Sequence, residues 1–341
     1  MKLGYKIRSL SQAIDRAEFI QTFSLIQDQI RKDPYRVGLL PVAQQQLFLQ
    51  MHSSLPSEFW TLHQSSPSEC GRMAAYLSSS YPQVGYIGFF EAENFSIAQA
   101  LIENAIKWLK TQGVKKIYGP INWNTWFSYR FRVQEDSSQA FRFEPVNPPE
   151  YPIWFQELGF QIIETYHTDG LDGIQGIADE TKNDYQKAIS CGYQIRTLDS
   201  TVPLEQELQI LYEISLPAFQ FNFLFEPIPF DFFKKLYVPL FQSADPKLLL
   251  FICNPKGKPL GYFFSFIEFD YLVLKTTAIH PEARGLGLSN AMLHAAVNEA
   301  MKKGVKKSIA ALMKTGIQSE SYSRKQNILW RHEYGLFEKN I

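Results

Sequence analysis

The chain has 341 residues and 45% hydrophobic content, enough for two ordinary cores and long for one. Its 34 Lys and Arg balance 34 Asp and Glu, so no net field draws polyanions and no nucleic-acid partner is expected. The start, Met1 to Phe19, lacks the long apolar run of a signal peptide or membrane span, so a cytoplasmic protein without a span is expected.

Gly4 to Leu10 (GYKIRSL) reads as a short alternating strand followed by a helical stretch. Cys70, Cys191 and Cys253 form no CxxC pair and read as idle or buried thiols; the six histidines show no HExxH spacing. No metal site is expected. Val84 to Phe90 is an apolar strand, and Ala98 to Gln112 a helix with Ile102, Ala105, Ile106 and Leu109 on one face. Gly113-Val114-Lys115-Lys116 then turns into another strand. Asp169 to Asp179, rich in Gly and Asp, reads as a linker. Beyond it the pattern returns: Gly192 to Leu198 (GYQIRTL) repeats the first strand at a shift of 188 (192 − 4). Tyr271 to Ile279 is again an apolar strand, and Ser289 to Lys303 a helix with Leu293, Ala296, Val297 and Ala300 on one face. Gly304 to Lys307 repeats GVKK at a shift of 191 (304 − 113). Two ordered echoes at nearly one shift point to an internal duplication of a strand–helix–strand unit. The expected organisation is a first domain over 1–170, a linker and helix over 171–190, and a second domain over 191–341.

At a shift of 191 the second copy has RGLGLS (Arg284 to Ser289) where the first has ENFSIA (Glu93 to Ala98). Glycines let a backbone curl until several N–H groups face one concavity. The following helix adds its free N–H groups and positive dipole end, and Arg284 a fixed charge; together these suit a diphosphate. A Rossmann fingerprint would need a further Gly and a distant acid, and a Walker loop would need GK[ST]; neither is present.

Ile279-His280-Pro281 followed by Arg284-x-x-Gly287-x-Ser289 resembles motif A of the GNAT acyltransferase superfamily, with Ser289 in place of Gly or Ala. In the first copy, GFFEAEN, YGPINWN and NPPEYPIWFQELGF resemble bacterial tandem GNAT proteins. The resemblance implies an α/β fold of two tandem GNAT-like domains, each a twisted mixed sheet flanked by helices. It implies acetyl-CoA or another acyl-CoA as co-substrate, its diphosphate on the loop and helix start formed by Arg284, Gly285, Leu286, Gly287, Leu288, Ser289 and Asn290. It also implies direct attack of an amine on the thioester, with the oxyanion on a backbone N–H that maps to Ala278 or Ile279. The general acid implied is a Tyr in the helix after the next strand, here Tyr322; an ordinary half-buried aromatic is the alternative reading. Glu268, among Phe264, Phe266, Phe269 and Tyr271, is the candidate base, and the polar end of a hairpin is its alternative. The aromatic stretches Phe219 to Phe233 and Trp123 to Tyr129 read as core packing or as the lining of an acceptor cleft.

The expected activity is acyl-CoA-dependent N-acyl transfer to a small-molecule or peptide amine. Long-chain N-acyl or aminoacyl transfer from another carrier, and non-catalytic acyl-CoA binding, are the competing expectations.

Overall fold

The structure is a computed structural model that describes residues 6–9, 30–31, 56–63, 69–134, 139–316, 323 and 326–341. In chain order its elements begin with β1 (Lys6–Ser9), β2 (Ser57–His63), β3 (Glu69–Leu77), β4 (Val84–Ala92), α1 (Phe95–Thr111), β5 (Lys116–Gly119) and β6 (Phe131–Gln134). They continue with α2 (Glu150–Glu157), β7 (Gln161–Asp172), α3 (Ile174–Ser190), β8 (Gln194–Thr197), α4 (Leu204–Phe219) and α5 (Phe230–Ser243). The last are β9 (Leu249–Cys253), β10 (Pro259–Glu268), β11 (Tyr271–Ile279), α6 (Leu288–Lys302), β12 (Lys307–Lys314) and β13 (Asn327–Asn340).

The chain divides into two units, one of Met1–Thr165 with Glu333–Ile341 and one of Tyr166–His332. Each repeats one topology. In the first, β1, β2, β3 and β4 pair antiparallel in order, and β5 joins β4 in parallel. In the second, β8, β9, β10 and β11 do the same, and β12 joins β11 in parallel. β1 and β8 are the GYKIRSL and GYQIRTL echoes, and β5 and β12 both start just after a GVK triplet. The parallel pair of each unit is bridged by one helix, as a right-handed crossover requires. α1 turns Ile97, Leu101, Ile102, Ala105 and Leu109 into the first core; α6 turns Ala291, Met292, Ala296, Val297 and Ala300 into the second.

The domain boundaries differ from the expected ones. The stretch Asp169–Asp179 is not a linker but the end of β7 and the first turns of α3. Ile174, Ile177, Ala178 and Ala188 of α3 are buried with α6 in the second core. Its glycines mislead because Gly173, at φ +82°, is the N-cap of that helix. Nor does the second domain run to the C-terminus. Residues Phe337 to Asn340 of β13 pair antiparallel with β5 and finish the first unit, while His167 to Asp172 of β7 pair with β12 in the second.

The first unit also contains a buried charge cluster. The Glu91 carboxylate accepts from Arg31 Nη2 at 2.6 Å, from Arg31 Nε at 3.1 Å and from the Tyr151 hydroxyl at 2.9 Å, with Arg72 Nη2 3.7 Å away. Burial alone pushes the Glu91 carboxyl up. The Arg31 and Arg72 charges and the bonds from Arg31 and Tyr151 outweigh it and hold the group below the usual carboxylate range. Removing one partner strands the others, so Glu91→Gln should destabilise this unit by about 3 kcal/mol near neutral pH. Because the folded pKa is depressed, that contribution is complete above the unfolded value, about 4.5, and fades as pH falls through the folded one. Urea melts of both proteins between pH 7 and pH 3 check this; a wild-type advantage that does not shrink in acid would contradict it.

Candidate acyl-transfer site

In the second unit, β11 and β12 run together from Tyr271/Lys307 to Leu274/Ala310 and then part. β11 stays with β10 as far as Ile279, through a register shift opposite Phe264 and Ser265 at which Lys275 forms a bulge. β12 stays with β7: Leu312, at φ +56°, donates its N–H to Thr168 Oγ1 at 2.9 Å, and Met313 pairs with His167. Among the described residues, no strand pairs with the second edge of Thr276–Ile279, although backbone groups there still seek partners. The His280 N–H donates to Leu260 O at 2.7 Å. Two residues back, the Ala278 N–H faces β10 as well, so the N–H groups of Thr277 and Ile279 face the opening. Of the two expected oxyanion positions, the N–H of Ile279 faces the opening and that of Ala278 faces β10.

Eight residues, 280–287, link Ile279 to Leu288, the first residue of α6. His280 caps a short 3-10 turn, Pro281–Ala283, and Glu282 is tied to Lys258 at 2.7 Å. Gly285 and Gly287 follow at φ +77° and +72°, and Gly287 is the N-cap of α6 with no side-chain bond to the first turn. The first N–H groups of α6 are thus left for an external acceptor. Arg284, exposed, donates from Nη2 to Ala218 O near the end of α4 at 2.7 Å, leaving other guanidinium donors for a ligand. Leu286 is exposed; Leu288 is buried in the core, and Ser289 is half-buried on the first turn.

Asp184 of α3 was not foreseen. Its Oδ2 accepts from Asn290 Nδ2 at 2.6 Å, and its Oδ1 lies 2.7 Å from where a Cβ on Gly287 would stand. The Asn290 side chain is therefore spoken for, and only its backbone N–H is left for a ligand. Tyr262, paired with Ala278 across β10, bonds Ser215 of α4 at 2.8 Å. Burial pushes its phenol up to about 12, against the opposing pull of the Ser215 bond, so it is a neutral donor near pH 7.

Glu268 is not brought to this opening. It pairs with Tyr271 at the foot of the β10–β11 hairpin, whose turn is the exposed Phe269. Along an extended strand that is about 13 Å from Lys275 and about 26 Å from Ile279, out of reach of an attacking amine. Glu268 is the polar end of a hairpin. Tyr322 lies outside the described residues. Of the aromatic residues of α5, Phe233 and Phe241 are core, Phe233 stacking on Tyr237 at 4.2 Å and Phe241 packing on Phe264 at 5.9 Å, while Phe230, Phe232 and Tyr237 are half-buried. The α4–α5 connection turns Phe221 outward, 82% exposed, and sets Phe223 5.9 Å from Lys314 Nζ.

The first unit handles the same strand differently. Only Glu93 and Asn94 separate Ala92 from Phe95, so the loop is six residues shorter rather than substituted. Asn94 caps α1 by accepting from the Ile97 N–H at 3.1 Å, so the helix start is satisfied internally. Where β4 leaves β5, the first unit's own chain fills the gap. Ile121 N–H donates to Ile87 O at 2.9 Å, and Asn122 Oδ1 accepts from the Phe89 N–H at 2.8 Å. Tyr76 hydroxyl joins Ile121 O and Trp123 N–H, and a Cβ on Gly88 would meet Ile121 O at 2.0 Å.

Residues 208–322, within the second unit, match the family model described as Acetyltransferase (GNAT) family. No curated protein matches in sequence. The chain is similar in fold to a fungal multi-domain GH3 β-N-acetylglucosaminidase with a GCN5-related glucosamine N-acetyltransferase region. That match has a TM-score of 0.59 and 11% identity and covers 99% of this chain but only 38% of the other. It is also similar to a tandem GNAT protein from the clavulanic acid biosynthesis pathway (TM-score 0.53, 12% identity, 98% of both chains). A GCN5-related N-acetyltransferase from Kribbella flavida matches at a TM-score of 0.54 and 8% identity, over 98% of this chain and 71% of the other. At such identities the likeness is one of fold.

Proposed function

We propose that the second unit transfers an acyl group from acetyl-CoA or another acyl-CoA to the amine of a small molecule or peptide. The first unit, with its gap filled, takes no donor. The observation that supports this is the coincidence, among the described residues, of two backbone surfaces without a partner, the edge of Thr277–Ile279 and the start of α6, which has no side-chain cap. A thioester carbonyl suits the first, and a diphosphate carried on Arg284 and the N–H groups of Leu286 to Asn290 suits the second. In this reaction the amine nitrogen attacks the carbonyl carbon and the C=O π pair moves to oxygen. The pair then returns, the C–S bond breaks, and the thiolate takes up a proton as the amine loses one.

Calorimetry with CoA and acetyl-CoA, backed by native mass spectrometry of freshly purified protein for retained donor, tests the reading. No affinity for either up to millimolar concentration would sink it. Asp184 gives a sharper test. Its carboxylate beside the loop opposes a diphosphate, so Asp184→Asn, which keeps a partner for Asn290, should tighten CoA binding by about five-fold. Weaker binding in the variant would favour a carrier with no phosphate at this loop, as in aminoacyl transfer from a different donor.

A further inference from the structure

In the proposed reaction the departing thiolate takes up a proton, which backbone N–H groups cannot give. A buried polar set in the second unit can. Asp169 of β7 is fully buried; its Oδ1 accepts from Arg331 Nε at 2.6 Å and its Oδ2 from Arg331 Nη2 at 2.8 Å. His167, two residues back on the same face of β7, is buried as well. Its Nε2 lies 3.7 Å from Asp169 Oδ2 and its Nδ1 3.5 Å from Thr315 Oγ1. A carboxylate only accepts, so the Nε2–H faces Asp169 and Nδ1 is the nitrogen turned to the Thr315 hydroxyl. Thr315 itself is exposed.

The duplication shows that the fold does not ask for these groups. Ala310 of β12 and Gly119 of β5 correspond at the shift of 191 (310 − 119), and they pair with Asp169 and Phe337. Phe337 is fully buried against Phe131 and Phe155, so the place suits an apolar ring. Two residues back, the first unit has Gly335 where the second has His167. A buried carboxylate in place of that ring is costly even when paired, and it calls for a reason.

The location supplies one. Asp169 and His167 pair with Ala310 and Met313, both in the core packed with α6, so the set lies on the α6 face of the sheet. The start of α6 and its loop would hold the donor on that same face. Counted from the last parallel pair, Leu274/Ala310, Thr315 lies five residues on (315 − 310), as Ile279 does on β11 (279 − 274). Each count includes one bulge, so Thr315 borders the opening on the side of β12, level with Ile279. Lys314 pairs with Tyr166 and turns to the other face, toward Phe223. His167 thus faces Asp169 of its own strand, with Arg331 of β13 behind that carboxylate, and Thr315 of β12.

We infer that Thr315 hands the leaving thiolate its proton and that His167, held by Asp169 and Arg331, replaces it. This rests on the proposed acyl-CoA reading. With His167 protonated, Nδ1–H donates to Oγ1 and the hydroxyl proton turns outward to the sulfur. As the C–S bond breaks, its electron pair goes to sulfur, sulfur takes the Thr315 proton, and Oγ1 takes the one on Nδ1. The proton lost by the amine goes to water, and water returns one to Nδ1 before the next turnover. Protonated His167 and Arg331 share one carboxylate, so the set holds a spare positive charge that a thiolate answers.

The test needs no acceptor. Ultraviolet absorbance of the thiolate follows the titration of CoA bound to wild type, Thr315→Val, Thr315→Ser and His167→Gln, with desulfo-CoA as the probe that lacks the thiol. Bound to wild type, the thiol should titrate about one pH unit below that of free CoA, with the Ser variant alike. In the Val and Gln variants it should return to the free value. Calorimetry should find desulfo-CoA bound alike by all four proteins. Because Thr315 is exposed, its two variants decide the matter even if His167→Gln does not fold. Equal titration in wild type and the Val variant, or a wild-type value no lower than that of free CoA, would overturn the inference alone. Wild type binding neither CoA nor desulfo-CoA would overturn the acyl-CoA reading, and this inference with it.

Discussion

Titration of the chain with CoA should reach saturation at one ligand per chain. The stoichiometry follows from three differences between strands that are otherwise in the same topological place. The first unit has two residues where the second has an eight-residue loop, so it has no counterpart of Arg284. Its helix start is capped by Asn94, whereas Gly287 leaves that of α6 uncapped. Its strand gap is already bridged by Ile121 and Asn122. Any of these alone weakens binding; opening the first gap means breaking the bonds of Ile121 and Asn122, each worth about 1 kcal/mol net and more if left buried and unmatched. Together they put donor affinity at the first unit lower by orders of magnitude. Glu93→Arg should therefore create no second site, since a charge restores neither the loop nor the gap. Calorimetry on wild type and Glu93→Arg measures this directly, and a stoichiometry of two in either would contradict it.

The repeat that predicts this asymmetry was legible in the sequence; its mechanism was not. GYKIRSL and GYQIRTL do mark β1 and β8, and the two GVKK runs do precede β5 and β12. Extending one shift of 191 across the whole unit set Glu93 against Arg284. In the structure the strands align at 187 (271 − 84) and the helix ends at 191 (302 − 111). α1 also starts two residues earlier, and a gapless shift hides the resulting six-residue difference in loop length. Thr277 was hidden by the register. Strict alternation along β11 would put it on the face of Tyr271 and Val273, but the bulge at Lys275 moves it to the face of Phe263. Asp184 was hidden because it arrives from α3, a helix whose glycine-rich start reads as a linker. The apolar core positions of α1 and α6, by contrast, follow directly from helical spacing.

Gly285→Asp and Gly287→Asp should both abolish measurable CoA binding yet differ clearly in stability. Both glycines hold positive φ, where an L-residue is strained by about 1 kcal/mol, somewhat less for Asp, which tolerates this region better than most. At Gly285 nothing lies within 4 Å of the added Cβ, so that strain is the whole cost and the melting temperature should drop by only a few degrees. At Gly287 the added Cβ would stand 2.7 Å from Asp184 Oδ1 and 2.9 Å from its carboxyl carbon. A new carboxylate there also faces the old one, and like charges at such range repel by about 1 kcal/mol in water and by several times that in a partly buried setting. Relief requires Asp184 to leave Asn290, loosening α3 from the start of α6. Gly287→Asp should therefore melt well below Gly285→Asp. The clean probe of the loop as a diphosphate site is accordingly Gly285, whose substitution adds a negative charge where the ligand's would lie and leaves the packing alone. Adding Asp184→Ala to Gly287→Asp should recover much of the lost melting temperature without restoring CoA binding, because the steric and charge conflict ends while the loop carboxylate remains. Thermal melts and calorimetry on the three variants decide it: equal melting temperatures for the two glycine variants would show that Asp184 does not govern Gly287, and unchanged CoA affinity in a folded Gly285→Asp would remove the loop from the donor site.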